Sequence, residues 1–362
     1  MEKLIDGVWN SSLVRITKKG MPPVRPSLGD DIDLFIPQVR TILLLQANPA
    51  LASLIYGSSY ASASRNAYAI MKKLGMPADY FWKFEYWPRD RALDTLRRVI
   101  NRVFSTMMSQ NKEGLLDIKD VDIEHMRFTM VVKECVECIG ITAESGICYY
   151  HVATLSGIIA ALINRDMDGY ETECQAKGDD TCTYIVGKKD DADIAGKLES
   201  YLSPGQIEMK VDDRLDESLK GHSRRSQGNL VNISYYQLTI ANSIITDPTL
   251  SPSSSFNVGT VYGVKLASFI NNYYHEDGAE AIKKYYNQLH YLAIKKLEMG
   301  TDVNIVMEEC PEVAGVTREK ELLGFLLGEL QGLMSTLMNQ KMTYQESAFE
   351  NGNLIIRLSL ES

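Results

Sequence analysis

The chain has 362 residues, of which 45% are hydrophobic and 23% are charged, and its formal net charge is −9. This length and this apolar fraction are typical of two globular domains with ordinary cores. The acidic balance argues against a nucleic-acid-binding surface, and six cysteines in a chain of this size do not suggest a secreted disulfide framework. We find neither a signal-peptide pattern nor an apolar run long enough to span a membrane, so we expect a cytoplasmic protein.

The first half of the chain predicts helices, one strand and a hairpin. A hairpin is indicated by the turn Lys177-Gly178-Asp179-Asp180 between two short apolar runs. Apolar residues at helical spacing predict the helix that follows an aromatic loop. In chain order we predict helical structure at 32–74, an aromatic loop at 75–90, a helix at 90–110, a strand at 126–135, a helix at 147–165, and strands at 169–175 and 181–187.

The second half repeats this order after a charged linker. We predict a first module over 1–190, a linker over 191–228 and a second module over 229–362, and a short helix at 192–202 is compatible with the linker. In the second module the patterns predict a helix at 277–298, a strand at 302–310, a helix at 319–340 and a hairpin that turns at 350–353.

An internal duplication underlies the two modules. The segment ECVECIGIT at 134–142 returns as ECPEVAGVT at 309–317, an offset of 175 residues. The same offset relates further identical residues, among them Gly157/Gly332 and Asn164/Asn339. Three cysteines of the first copy have apolar counterparts in the second. These pairs are Cys148/Leu323, Cys174/Ala348 and Cys182/Ile356. We expect the apolar residues to pack as core where the first copy holds a metal.

Three cysteines and one glutamate form the main chemical signal. Cys174 and Cys182 flank the predicted hairpin turn, Glu171 lies on its first strand, and Cys148 begins the preceding helix. Three thiolates and a carboxylate suit a tetrahedral Zn²⁺ ion. The competing interpretation is that these cysteines pack as small apolar side chains.

Other residues leave alternatives open. Cys135 and Cys138 form a CxxC pair, but the first recurs as Cys310 in the copy without ligands, which favours packing at a strand end. An iron–sulfur cluster that uses both, with the other three cysteines, is an alternative to zinc. His151 is a candidate metal or haem ligand, although a lone helical histidine is more often structural.

The aromatic loop is a candidate ligand-binding segment. It contains Trp82, Tyr86 and Trp87, which would line an apolar pocket or pack on the core.

The segments GICYYHVATLSGIIAALI and YETECQAKGDDTCTYIV resemble the 4-vinyl reductase domain family. The zinc-containing sensor domains of phenol-sensing bacterial transcription activators are similar in one detail: a cysteine, a Glu-x-x-Cys and a further cysteine after seven residues. Cys148, Glu171, Cys174 and Cys182 match that arrangement. The resemblance implies an α+β fold, shared with haem nitric-oxide sensors and Golgi transport-particle subunits, in which helices pack on a small antiparallel sheet. It implies a ligand pocket but no reductase chemistry.

These observations favour a zinc-containing protein that binds or senses a small apolar molecule without catalysing a reaction. The alternatives are a tetrapyrrole-related enzyme or cofactor carrier with a metal or iron–sulfur centre, and an assembly scaffold. We expect no nucleic-acid partner. We also expect the two modules to pair within the chain, and a homodimer is a further possibility.

Overall fold

The structure is a computed structural model. It describes residues 23–73, 104–203, 205–208, 226–237, 251–274, 278–314 and 323–361, together with single positions between 88 and 100 and between 213 and 216.

Helices and antiparallel strands alternate along the chain. The helices are α1 (Phe35–Ala47), α2 (Leu51–Lys73), α3 (Ser105–Gln110), α4 (Tyr149–Ile163), α5 (Ala192–Tyr201), α6 (Ser251–Tyr273), α7 (Gly278–Gln288) and α8 (Gly324–Leu337). The strands are β1 (Asp31–Asp33), β2 (Leu115–Asp122), β3 (Arg127–Lys133), β4 (Thr142–Ala143), β5 (Met167–Glu173), β6 (Cys182–Lys188), β7 (Ile207–Glu208), β8 (Leu230–Asn232), β9 (Ala293–Met299), β10 (Asp302–Glu308), β11 (Met342–Glu350) and β12 (Asn353–Leu360).

The described residues form two compact units. One unit holds 48–210 with 226–227 and contains the first module. The other holds the chain up to Ala47, 213–216, and 228–361, and it contains the second module. The N-terminal segment therefore belongs to the unit of the second module.

The first module is a four-stranded antiparallel sheet with a central helix. The strand order is β2-β3-β6-β5, and α4 connects β3 to β5. Alternate side chains of β3 are buried, namely Phe128, Met130 and Val132, as expected for a strand with one face on the core. Helix α4 is buried along almost its whole length and packs against α2.

The second module repeats this topology. Its sheet has the order β9-β10-β12-β11, α8 connects β10 to β11, and α6 packs against α8. The backbone repeats in detail, because Asn164 and Asn339 both follow the central helix with a positive φ, 52° and 51°. The structure confirms an α+β fold built from two similar modules.

A glycine on each central helix allows a close helix contact. A Cβ atom on Gly157 would lie 2.5 Å from the Tyr60 carbonyl oxygen of α2. A Cβ atom on Gly332 would lie 2.1 Å from the Thr260 carbonyl oxygen of α6. Both distances are shorter than van der Waals contact, so the absence of a side chain at these repeated glycines permits the packing.

Several sequence predictions need correction. The predicted helix 277–298 ends at Gln288, and Ala293–Met299 is the edge strand β9, whose charged outward residues obscured the strand pattern. Strand β2 was interpreted only as a connection. The short helix at 192–202 is confirmed as α5, and Ser105–Gln110 confirms the end of the helix predicted at 90–110.

Among the described residues, the structure contains no helix with the length and apolar character needed to cross a membrane.

Candidate metal centre

Five cysteines of the first module converge at one end of its sheet. Cys182 is the first residue of β6, which pairs with β3. Cys148 precedes α4, and Cys174 follows β5. Cys135 and Cys138 lie in the turn after β3. Strand pairing and two chain turns therefore bring together residues that are up to 47 positions apart.

The sulfur atoms are close enough to share one metal ion. Cys148 Sγ lies 3.5 Å from Cys135 Sγ, 3.7 Å from Cys182 Sγ and 3.9 Å from Cys174 Sγ. Cys138 Sγ lies 3.2 Å from Cys182 Sγ. All five cysteines are free thiols with no exposed surface. Sulfurs at these separations approach the spacing of a tetrahedral thiolate site, since Zn–S bonds are about 2.3 Å.

Two sets of four ligands satisfy the same geometric condition. In each set every ligand atom lies within 4.8 Å of the others. The first set is Cys148, Glu171, Cys174 and Cys182, and the second is Cys135, Cys138, Cys148 and Cys182. The buried cysteine cluster could therefore hold a metal ion, and the two sets differ in whether a carboxylate takes part.

Glu171 fits a metal ligand because one of its oxygens lacks another role. Its Oε2 accepts a hydrogen bond from the Cys148 amide at 3.2 Å. Its Oε1 is buried and has no hydrogen-bond partner among the described residues. A buried oxygen without a partner costs about 1–3 kcal/mol, which a bound cation would offset. A Cβ atom on Gly146 would come within 2.4 Å of Oε2, so glycine leaves room for this carboxylate.

The electrostatics of the cluster call for a positive charge. Burial raises the pKa of the Glu171 carboxyl, and the Cys174 thiolate raises it further. Burial also raises the pKa of the Cys138 and Cys148 thiols. Hydrogen bonds from neighbouring thiols lower the pKa of Cys174. A bound divalent cation would favour the ionised form of every ligand.

His151 lies beside the cluster in a network of its own. Its Nδ1 is 2.8 Å from Glu137 Oε1 and 3.2 Å from Cys135 Sγ, and its Nε2 is 3.8 Å from Glu113 Oε2. Burial acts to lower the pKa of His151, but the negative charges of Cys135 and Glu137 raise it well above its ordinary value. Glu137 also accepts the amide hydrogens of Tyr150 and His151 at the start of α4. The group Cys135, Glu137 and His151 has metal-ligand spacing as well.

The second module fills the equivalent place differently. Leu323 and Ile356 are fully buried, as expected of the residues that replace Cys148 and Cys182. Ala348 is exposed, so the expectation that it packs as core is wrong. A register shift between Tyr344 and Glu346 changes which residues of β11 face inward. Cys310, the remaining cysteine, donates to Glu312 Oε2 at 2.8 Å.

The CxxC pair was interpreted too simply from the sequence. Placing Cys135 and Cys138 at a strand end predicts that their side chains point to opposite faces. Strand β3 ends at Lys133, however, and both thiols lie in the following turn and reach the cluster. The signal that could have revealed this is the CxxC spacing itself, which suits a metal-binding turn.

The predicted aromatic residues Trp82, Tyr86 and Trp87 lie outside the described residues. Their part in a ligand pocket stays a prediction.

Comparison with known proteins places the cluster in a recognised domain. An uncharacterized protein of Methanocaldococcus jannaschii is 25% identical over 170 residues, which cover 47% of this chain and 83% of that protein. The phenol-responsive sensory domain of the transcription activator PoxR, solved with phenol, is 14% identical; the alignment covers 57% of this chain and 100% of that chain, with a TM-score of 0.36.

Two further solved structures are similar to part of the chain. A trafficking protein particle complex subunit 3 from Naegleria fowleri, covalently bound to palmitic acid, is 14% identical over 43% of this chain and 95% of that chain, with a TM-score of 0.33. An H-NOX mutant of T. tengcongensis is 14% identical over 42% of this chain and 90% of that chain, with a TM-score of 0.25. The model of the 4-vinyl reductase domain matches residues 128–188, the segment that supplies all five clustered cysteines and Glu171. The chain therefore belongs, through its first module, to the 4-vinyl reductase domain family.

Proposed function

We propose that this protein binds a small apolar molecule without catalysing its conversion, and that the first module is stabilised by one zinc ion. The observation that carries the zinc proposal is the buried thiol cluster, with a glutamate oxygen beside it that has no hydrogen-bond partner among the described residues. Cys148, Glu171, Cys174 and Cys182 would provide the four ligands. A set of sulfur and carboxylate ligands that fills all four positions is typical of structural rather than catalytic zinc.

The position of the cluster explains what a metal would stabilise. Its residues come from the turn after β3, the start of α4 and both strands of the β5–β6 hairpin. A bound ion would therefore join the central helix to the sheet. In small zinc domains such binding contributes on the order of 10 kcal/mol of folding free energy.

The apolar ligand rests on the aromatic segment that contains Trp82, Tyr86 and Trp87. The second copy has no comparable segment, so this part of the first module is available for a separate role. Aromatic side chains supply large apolar contact areas at low entropic cost, as small-molecule sites require.

Metal analysis and ligand titration test the two parts separately. We expect about one zinc per purified chain and a protein without colour. Titration with phenol as the probe, followed by tryptophan fluorescence, should give saturable binding that Trp82→Ala and Trp87→Ala weaken while the zinc content stays unchanged. Equal phenol affinity in both variants and the unmodified chain would overturn the role of the aromatic segment.

One observation favours a second candidate, an iron–sulfur or other redox centre that serves a tetrapyrrole-related enzyme or carrier. The set Cys135, Cys138, Cys148 and Cys182 consists of cysteines alone, the usual ligands of iron–sulfur clusters. Protein purified without oxygen would then contain iron and sulfide and would absorb visible light, whereas the zinc form would not.

A further inference from the structure

Two glutamates hold equivalent positions at the ends of equivalent strands. Glu134 follows β3 and Glu309 follows β10, 175 residues later. Both have a positive φ, 55° and 56°, which a residue other than glycine rarely adopts. The backbone places both carboxylates in the same local setting, and each accepts hydrogen bonds from a distant segment of the chain.

Each carboxylate binds the backbone of a short turn. Glu309 Oε1 accepts the Ser27 amide and Oε2 accepts the Leu28 amide, both at 2.7 Å. Glu134 accepts the Ser226 amide at 3.1 Å, the Ser226 hydroxyl at 2.9 Å and the Gln227 amide at 3.1 Å. Two consecutive N–H groups on one carboxylate form a charge-assisted, two-pronged contact.

The two bound segments are themselves copies of one another. We name residues 25–33 the first arm and 224–232 the second arm. Both have the sequence pattern Arg-x-Ser-x-Gly-Asx-x-(Ile/Val)-Asx. Their glycines, Gly29 and Gly228, have positive φ values of 77° and 66°. The duplication therefore includes an arm ahead of each module, which the comparison of the modules alone does not reveal.

The ends of the arms also behave alike. Asp33 accepts the amide of Phe35 at 2.8 Å, and Asn232 accepts the amide of Ser234 at 2.9 Å. Strands β1 and β8 belong to the two arms and pair antiparallel, with Ile32 opposite Val231. Those two residues are equivalent in the repeated pattern, so the pairing is symmetric about them.

We propose that Glu134 and Glu309 are equivalent docking sites for a Ser-x-Gly turn, and that the chain exchanges its arms, each module holding the arm that leads into the other. The first arm leads into the first module, yet it lies in the unit of the second module and binds Glu309. Ser226 and Gln227 lead into the second module, yet they lie in the unit of the first module and bind Glu134. The partner that each site recognises is a copy of the repeat's own arm.

Arg25 fixes the first arm beside its carboxylate. It is fully buried, and its guanidinium donates to the carbonyl oxygens of Tyr291 at 2.9 Å and His290 at 2.5 Å in the second module. The same side chain donates to the Gly29 carbonyl oxygen at 2.7 Å within the arm. A planar guanidinium that joins both segments sets the register in which Ser27 and Leu28 meet Glu309.

Amide hydrogen exchange in the full-length chain tests the two sites independently. Glu309→Gln loses the charge and one acceptor oxygen, so exchange at Ser27 and Leu28 should rise about tenfold or more while exchange at 226–227 stays unchanged. Glu134→Gln should produce the opposite pattern. Glu350→Gln and Glu124→Gln, exposed residues of the two modules, are the matched controls and should change neither arm.

A milder variant guards against loss of folding. Ser226→Ala removes only the hydroxyl donor to Glu134 and should raise exchange at Gln227 by a smaller factor. Unchanged exchange at the arms in all three variants overturns the docking sites. An equal rise at both arms in each glutamate variant overturns the exchange of arms, because two independent contacts cannot respond together.

Discussion

Cys148 and Leu323 occupy the same position in the two modules. Each directly precedes the central helix, each is fully buried, and 175 residues separate them. One module thus places a thiol where the other places an isobutyl group. A position that accepts either residue needs a filled interior, and only the first module adds metal-binding chemistry to that requirement.

The first prediction concerns the metal. Cys174→Ser should remove most of the bound zinc and lower the melting temperature, since each lost kcal/mol lowers it by roughly 2–4 °C in a domain of this size. Elemental analysis and calorimetry measure the two effects. Cys310→Ser is the matched control, because that buried cysteine lies in the module without the cluster; an equal loss of zinc in the control would contradict the assignment.

The second prediction separates the two ligand sets. If Glu171 is a ligand, Glu171→Gln should weaken zinc binding, whereas Cys138→Ser should leave the zinc content near one per chain. The all-cysteine set predicts the reverse. Competition with a chromogenic chelator measures the affinity of each variant, and a larger loss in Cys138→Ser would exclude the carboxylate set.

The third prediction concerns helix packing. Gly57 and Gly263 are matched in the repeat, but a Cβ atom on Gly263 would lie 2.0 Å from the Glu329 carbonyl oxygen, while a Cβ atom on Gly57 would meet nothing within 4 Å among the described residues. Gly263→Ala should therefore destabilise the protein by roughly 1–3 kcal/mol or more through overpacking. Gly57→Ala should stabilise it by up to about 1 kcal/mol through helix propensity. Urea denaturation measures both, and equal effects would refute the packing argument.

The fourth prediction concerns pH. Glu329 is fully buried, Tyr286 donates to its Oε1 at 2.7 Å, and burial raises its pKa to about 8. The folded state therefore binds a proton more tightly than the unfolded state, whose carboxyl has a pKa near about 4.3. This contribution to stability is fully present below the unfolded pKa and is lost as the pH rises towards about 8.

Glu329→Gln should abolish this pH dependence, because the amide keeps an acceptor for Tyr286 and does not ionise. The free energy of unfolding, measured from about pH 5 to about pH 9, should fall for the unmodified chain by up to a few kcal/mol more than for the variant. Parallel curves for the two proteins would show that Glu329 does not titrate in this range.

The sequence determined much of each module because the deciding signals are local. The buried alternation of β3, the apolar run of α4 and the turn around Gly178 each lie within a few residues of the structure they specify. The duplication likewise needs only comparison of the chain with itself. For the same reason the four residues of the first ligand set could be named from spacing and resemblance.

Tertiary structure decided the rest because the relevant contacts join distant residues. Strand β9 carries lysines and glutamates that resemble a helix surface, and its pairing with β10 fixes it as a strand. The turn after β3 brought Cys135 and Cys138 into the cluster. The arm contacts join Ser27 to Glu309 across 282 residues, and no local pattern specifies which of two equivalent carboxylates an arm will bind. That choice depends on how the folded chain returns upon itself.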